Sequence, residues 1–214
     1  MILLTIAVVY MKNRQAQNKK IISRLLLLFV FFSIPNIHSF AQDLILVKDK
    51  DGIIIYKEKD AHNNLNRIIA STVIPENSLK ILSLIYDAEN HENWVYANHG
   101  AYILYSIDPY HWIYYSISKA PWPINNRDIV SNVELFIDNH TYTIRVESNG
   151  KPNLIPESPN MVRIPILHSK WVLQKIDDEN TRVKLDILVD SGGNIPNWVI
   201  NLFSANDLIE PLLI

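Results

Sequence analysis

The feature that most constrains this chain is a series of short segments, between residues 101 and 189, in which apolar and polar side chains alternate. In the segment Arg182–Val189 every second residue is Val, Leu or Ile, and the residues between them are mostly charged. Successive side chains of a β-strand point to opposite faces, so this period of two predicts an antiparallel strand with one buried and one exposed face. Turn residues separate the segments, which indicates a sheet built largely from hairpins.

Two further segments carry the helical repeat instead. Apolar residues lie three and four positions apart in Glu76–Tyr86 and in Pro196–Ile214. In the first segment the expected buried stripe consists of Leu79, Leu82, Ile85 and Tyr86. This spacing predicts one amphipathic helix before the main run of strands and one at the end of the chain. Many antiparallel strands with an early and a terminal helix predict an α+β fold.

The predicted strands place particular side chains together. In His111–Ser118 the period of two puts Trp112, Tyr114 and Ser116 on one face. In the predicted strand Thr141–Glu147, Arg145 shares a face with Thr141 and Thr143. Ligand sites are largely apolar with a few placed polar groups. These mixed faces therefore suit a cavity wall, although a solid core satisfies the same alternation.

Residues 1–41 have the pattern of a targeting segment. A basic stretch precedes a short apolar run, and small residues end at Ala41, which predicts a signal peptide cleaved before Gln42. We expect a secreted or periplasmic domain of residues 42–214. An apolar stretch ahead of the basic residues does not fit a signal peptide and indicates a translation start at Met11. A membrane-anchoring helix that is retained is the alternative.

Charge and composition exclude several classes of function. The chain has 20 basic and 22 acidic residues, and five basic but no acidic residues lie in residues 1–41, which leaves the mature chain near −7. An acidic domain binds nucleic acid poorly, so we expect no nucleic-acid partner. The chain has no cysteine and no catalytic signature such as Gly-x-Ser-x-Gly or His-Glu-x-x-His. Its histidines are scattered without ligand spacing, and we expect them at the surface or in turns. We expect no catalytic residue, no metal and no cofactor.

Two motifs stand out from this background. Prolines bracket a tryptophan in Pro121–Val130, which excludes a helix interior there, and Arg127 and Asp128 follow a turn. A simple interpretation is a rigid loop with a surface ion pair. In Asp190–Asn201 a Gly-Gly pair gives a flexible turn, and Pro196 suits the first turn of the helix that follows.

Together the two motifs resemble the START domain, the StAR-related lipid-transfer family, and in particular its phosphatidylcholine-carrying branch and its bacterial members. The resemblance covers about residues 44 to 214. It implies a helix-grip fold, in which a curved antiparallel sheet wraps around the C-terminal helix and encloses a hydrophobic tunnel. It also implies binding and transfer of a single phospholipid or other lipid. Arg127 stands in the Asn-Arg-Asp motif of the family, which implies a contact with the lipid phosphate, since a guanidinium binds phosphate through two nitrogens.

From the strand faces, the motifs and the terminal helix we predict one set of ligand-binding residues: Trp112, Tyr114, Arg127, Arg145, Trp198 and Leu202. The expected partners are a lipid and, transiently, a membrane, and the expected state is a monomer. Tyr114 and Val133 align with the charged pair of sterol carriers and are uncharged, which disfavours cholesterol. Two alternatives stay open: an enzyme on the same fold, similar to polyketide aromatase/cyclases, and an interaction module with a filled core.

Overall fold

The computed structural model describes residues 44–58 and 65–193. Within these residues the chain forms a ten-stranded sheet, one α-helix and one short 3-10 helix. The strands are β1 (Leu44–Lys50), β2 (Ile53–Glu58), β3 (Leu65–Ile74), β4 (Asn98–Asp108), β5 (His111–Ser118), β6 (Asn126–Asp138), β7 (Thr143–Gly150), β8 (Met161–Arg163), β9 (Ile166–Lys175) and β10 (Thr181–Asp190). Helix α1 spans Ser78–Tyr86, and the 3-10 helix spans Ala88–Asn93.

The sheet has the order β1-β2-β3-β10-β9-β7-β6-β5-β4, and every pair along this path is antiparallel. The short β8 lies off the path and pairs with β6 in parallel. The predicted fold class, α+β with a curved antiparallel sheet, is confirmed. The predicted signal peptide (1–41) and C-terminal helix (Pro196–Ile214) lie outside the described residues, so the domain boundary stays a prediction.

The two faces of the sheet differ in what covers them. The face that packs against α1 is termed the inner face, and its core includes Trp112, Val133 and Leu173, which pack with Ile81 and Ile85 of the helix. On the outer face a smaller core on β5 and β6 packs against the loop between β7 and β8. Strands β5 and β6 are therefore buried on both sides, and their alternation assigns each residue to a face.

Helix α1 differs in detail from the sequence prediction. It begins at Ser78 instead of Glu76, because the side chain of Asn77 accepts a hydrogen bond from the backbone N–H of Leu79 at 2.8 Å and caps the helix. Of the expected buried stripe, Ile85 is buried as predicted, but Leu79 is 63% exposed. Ile81 is buried instead, so packing on the sheet shifts the buried side of the helix away from Leu79.

Strand β1 was not predicted, and the limits of several other strands differ from the prediction. Strand β7 was expected from Thr141 but begins at Thr143, because Tyr142 has a φ of 51° and lies in a turn. A left-handed residue cannot continue an extended strand, and nothing in the side chain of Tyr142 signals that conformation.

Candidate functional site

Trp112 and Tyr114 lie on the inner face of β5, as predicted. The Trp112 ring is buried against Tyr86 of α1 in an edge-to-face contact, with ring centroids 4.9 Å apart. Tyr114 pairs across the sheet with Ser131, which is fully buried and accepts a hydrogen bond from Ser148 at 2.8 Å. The middle of the inner face therefore carries hydroxyl groups among apolar side chains, the mixed lining that ligand sites favour.

The hydroxyl of Tyr114 belongs to a buried network. His91 Nε2 lies 3.0 Å from the carbonyl oxygen of Ile85, so this nitrogen carries the proton and donates. The other ring nitrogen, Nδ1, then accepts from the hydroxyl of Tyr114 at 2.8 Å. Burial lowers the pKa of His91, which keeps the ring neutral, and burial raises the pKa of Tyr114 to about 12. The network thus uses the only proton of the Tyr114 hydroxyl, and the oxygen of that hydroxyl accepts from Ser116.

His91 corrects a sequence-based expectation, because every histidine was predicted to lie at the surface or in a turn. His91 is only 8% exposed. Its partners, Ile85 and Tyr114, come from α1 and β5, so no pattern local to His91 could have indicated its burial. Trp94 was also missed as a member of this region, and it packs edge-on against His91 and against Trp171 of β9.

Arg127 is the second residue of β6 and lies on the inner face, at the end of the sheet where the loop of residues 119–125 joins β5 to β6. It is 7% exposed, and its Nη1 donates to the carbonyl oxygen of Asn125. Its Nε is buried and has no hydrogen-bond partner, and no carboxylate among the described residues pairs with it. Burial lowers the pKa of Arg127. The structure therefore places a buried cation, with no countercharge among the described residues, on the face that carries Trp112 and Tyr114.

The expected surface ion pair of Arg127 and Asp128 is wrong. Asp128 is fully buried on the outer face and receives two parallel hydrogen bonds from Arg163, of 2.9 and 2.8 Å. Arg163 also donates to three carbonyl oxygens of the β7–β8 loop, those of Pro152, Ile155 and Pro156. Neighbouring residues of a strand point to opposite faces, so Asp128 pairs away from Arg127 and fixes the loop.

The remaining predicted site residues are not brought together with this group. Arg145 lies on the outer face of β7, 4.9 Å from the ring of Phe136 and 3.9 Å from Glu147. It is separated by the sheet from Trp112 and Tyr114 and is removed from the candidate site. Trp198 and Leu202 lie outside the described residues, and their roles stay predictions.

Residues 44–58 and 65–193 contain neither a metal-binding cluster nor a membrane-spanning helix. No group of His, Asp and Glu side chains there has the arrangement needed to hold a metal ion. No helix in that part of the chain is long and apolar enough to cross a membrane.

Comparison with known proteins identifies the family. The START domain model matches residues 44–211, which is most of the chain. The chain belongs to the START domain family. This START domain is 28% identical over 175 residues to an uncharacterized protein of Pseudomonas aeruginosa, covering 82% of this chain and 86% of that protein. It is 25% identical over 166 residues to the phosphatidylcholine transfer protein of Mus musculus, covering 75% of this chain and 76% of the relative.

Solved structures share the fold of this START domain. The STAR-related lipid transfer protein of Xanthomonas axonopodis superposes with a TM-score of 0.67 at 23% identity, covering 79% of this chain and 92% of that one. Human StAR-related lipid transfer protein 5 gives a TM-score of 0.65 at 16% identity, with coverage of 90% and 89%. These similarities confirm the predicted helix-grip fold.

Proposed function

We propose that this START domain is a non-catalytic carrier that binds one phospholipid on the inner face of its sheet and transfers it between membranes. Membership of the family supports lipid binding in general. The resemblance to phosphatidylcholine transfer proteins supports a phospholipid. The observation that carries the proposal is Arg127, a buried guanidinium with an unpartnered Nε and no carboxylate partner among the described residues.

A buried charge without a partner is costly, and a ligand that supplies the opposite charge removes that cost. A phosphate diester is such a group, because its oxygens accept the bidentate hydrogen bonds that a guanidinium donates. The face beyond Arg127 becomes apolar toward α1, where Trp112, Val133 and Leu173 lie. An acyl chain gains about 0.8 kcal/mol for each methylene moved from water to such a surface, or roughly 12 kcal/mol for sixteen carbons before ordering costs. Chain burial thus supplies affinity, and Arg127 selects the headgroup.

The test compares uptake of two labelled lipids from vesicles. Arg127→Ala is expected to weaken binding of phosphatidylcholine by about 1.5–3 kcal/mol, roughly 10- to 150-fold, which is the value of a hydrogen bond to a charged group. Uptake of diacylglycerol, which has the same chains and no phosphate, should not change.

Arg145→Ala is the matched control, because it removes the same charge from the outer face of the sheet. Circular dichroism and urea midpoints show whether each variant is folded. Equal phosphatidylcholine uptake by wild type and folded Arg127→Ala would contradict the phosphate contact. Failure of the wild type to take up any lipid would contradict the carrier function itself.

A transient membrane contact is part of this proposal. Trp122 is 90% exposed in the β5–β6 loop, at the same end of the sheet as Arg127. Leu154 of the β7–β8 loop is 43% exposed at that end as well. Tryptophan favours the membrane–water interface. Trp122→Ala should slow transfer between vesicles without changing the lipid affinity at equilibrium. Tyr110 is an exposed aromatic residue at the opposite end of β5, and Tyr110→Ala should change neither the transfer rate nor the affinity. Equal transfer rates in wild type and both variants would contradict this contact.

Export is proposed on the sequence pattern alone. The basic and apolar runs within residues 1–41 support cleavage before Gln42. Intact-mass analysis of protein from the periplasmic or extracellular fraction should give a chain that starts at Gln42. A membrane-bound chain that retains Met1 or Met11 would contradict the prediction.

A further inference from the structure

The guanidinium of Arg127 has one nitrogen that is bound and one edge that is not. Its Nη1 donates to the carbonyl oxygen of Asn125, in the loop that joins β5 to β6. Its Nε is buried without a hydrogen-bond partner, and its Nη2 bonds to none of the described residues. Nε and Nη2 lie on the same side of the planar group and donate in parallel, which is the arrangement that binds two oxygens of one phosphate. The bond to Asn125 therefore leaves the bidentate edge for a ligand.

The neighbours of Arg127 on the inner face are uncharged. Arg127 pairs with Ser118 of β5 on one side and with Val162 of β8 on the other. Side chains directly opposite each other in an antiparallel pair, such as Arg127 and Ser118, are about 5 Å apart at Cβ. Ser118 is half-buried, and its hydroxyl has no hydrogen-bond partner among the described residues. The site therefore has one positive charge with one neutral donor beside it.

The charge of this site matches one kind of phosphate. A buried charge without an opposite charge is costly, so the charge of the ligand must balance that of the site. A phosphate diester has one negative charge, which Arg127 balances. A phosphate monoester has a second pKa of about 6 and carries close to two negative charges above it. The extra charge of a monoester would lie among Ser118, Val162 and the carbonyl oxygen of Asn125, none of which is positive.

We propose that Arg127 and Ser118 bind a phosphate diester with a single negative charge, and that the domain discriminates against lipids whose phosphate is a monoester. The two non-bridging oxygens of the diester accept from Nε and Nη2 of Arg127, and one of them also accepts from the hydroxyl of Ser118. This inference rests on the proposed carrier function and narrows the class of phospholipid.

The test presents two lipids in the same vesicle, so that the membrane surface is identical for both. Phosphatidylmethanol and phosphatidic acid with the same acyl chains differ by one methyl group, which makes the phosphate a diester or a monoester. Mass spectrometry of the protein, after its separation from the vesicles, gives the ratio of the two bound lipids. At about pH 8.5 wild type should hold at least about tenfold more phosphatidylmethanol. At about pH 5 the monoester has one negative charge, and the ratio should approach one.

Variants of Ser118 test the site itself. Ser118→Ala removes the neutral donor and should weaken binding of phosphatidylmethanol about tenfold, without changing the uptake of diacylglycerol, which has no phosphate. Ser118→Lys adds a second positive charge beside Arg127 and should reverse the preference at the higher pH in favour of phosphatidic acid. Lys119→Gln changes the charge of the next residue, which is exposed, and should keep the wild-type ratio. Circular dichroism shows whether each variant is folded.

The outcomes separate this inference from the carrier function. If wild type takes up both phosphate lipids equally at the higher pH, the charge discrimination is wrong and the carrier function stands. If folded Ser118→Ala binds phosphatidylmethanol as tightly as wild type, the part assigned to Ser118 is wrong. If wild type takes up diacylglycerol but neither phosphate lipid, the phosphate contact of Arg127 fails as well. Uptake of no lipid at all would overturn the carrier function. Where Ser118→Lys does not fold, the pH dependence of the wild-type ratio decides the question.

Discussion

Replacing Asp128 by Asn should destabilise this domain strongly, because the substitution leaves the charge of Arg163 buried without a partner. The side chains of Asp128 and Arg163 are 0% and 2% exposed. The carboxylate accepts two hydrogen bonds from the guanidinium and a third, of 3.2 Å, from the hydroxyl of Tyr115. Asn has nearly the same shape as Asp but no charge, so the change removes the electrostatic pairing without a large cavity.

The expected cost follows from the burial of the pair. Removing one partner of a buried ion pair costs about 3–5 kcal/mol, whereas breaking an exposed pair costs about 0–1 kcal/mol. A domain of this size shifts its midpoint temperature by roughly 2–4 °C for each kcal/mol, so Asp128→Asn should lower it by about 6–20 °C. A typical domain is stable by about 5–15 kcal/mol in total, so the variant should still fold at room temperature in most of that range.

Urea unfolding, monitored by circular dichroism, gives the free energy of unfolding of each variant. Asp178→Asn provides the matched control. Asp178 also pairs with a cation, Lys175, but its side chain is 90% exposed. Hydrogen exchange should show increased opening of the β7–β8 loop in Asp128→Asn, because Arg163 holds that loop through three carbonyl oxygens. Equal losses of less than 1 kcal/mol in both variants would refute the argument that this buried pair fixes the fold.

Three further predictions concern other parts of the chain. Gly192 has a φ of +64°, and a Cβ there would lie 3.0 Å from Pro165, whereas Gly52 has a φ of +76° and open space around it. Gly192→Ala should therefore lower the free energy of unfolding by about 1–3 kcal/mol more than Gly52→Ala does. Equal urea midpoints of the two variants would contradict this. Burial lowers the pKa of His91 despite the nearby Asp87, so the neutral ring stabilises the domain above the unfolded pKa of about 6.5, and this contribution is lost as the pH falls below that value toward the folded pKa. In His91→Gln the free energy of unfolding should therefore differ less between about pH 7.5 and pH 5 than it does in wild type. An unchanged difference would count against the neutral buried ring. Leu202→Trp should block lipid uptake in a folded domain if the C-terminal segment covers the inner face, and uptake equal to wild type would rule out that cover.

Local sequence pattern predicted most of the strands correctly. The period of two placed Trp112 and Tyr114 together, and it separated Arg145 from Ile144 and Val146. It did not show which face of that strand meets α1, and Arg145 was therefore predicted for the wrong side. A face becomes the inner one only through contact with an element far away in the chain, and alternation is the same whichever face is covered.

The partners of polar residues were also beyond local pattern. Asp128 was expected to pair with its neighbour Arg127, yet it pairs with Arg163, 35 residues later. His91 was expected at the surface, yet it bonds to Tyr114, 23 residues later. Both pairings require that two strands, or a strand and a 3-10 helix, are already in register.

The sequence by itself determined the fold class and the family, because both depend on features carried by short segments: the strand period, the proline–tryptophan motif and the Gly-Gly turn. The tertiary structure alone decided which face of the sheet is the inner one, and which buried polar groups on it lack a partner. Arg127 Nε and Trp94 Nε1 lack a partner because none of the described elements around them places an acceptor within hydrogen-bond distance. An unsatisfied donor is a property of all its neighbours together, and no single segment of the chain contains that information.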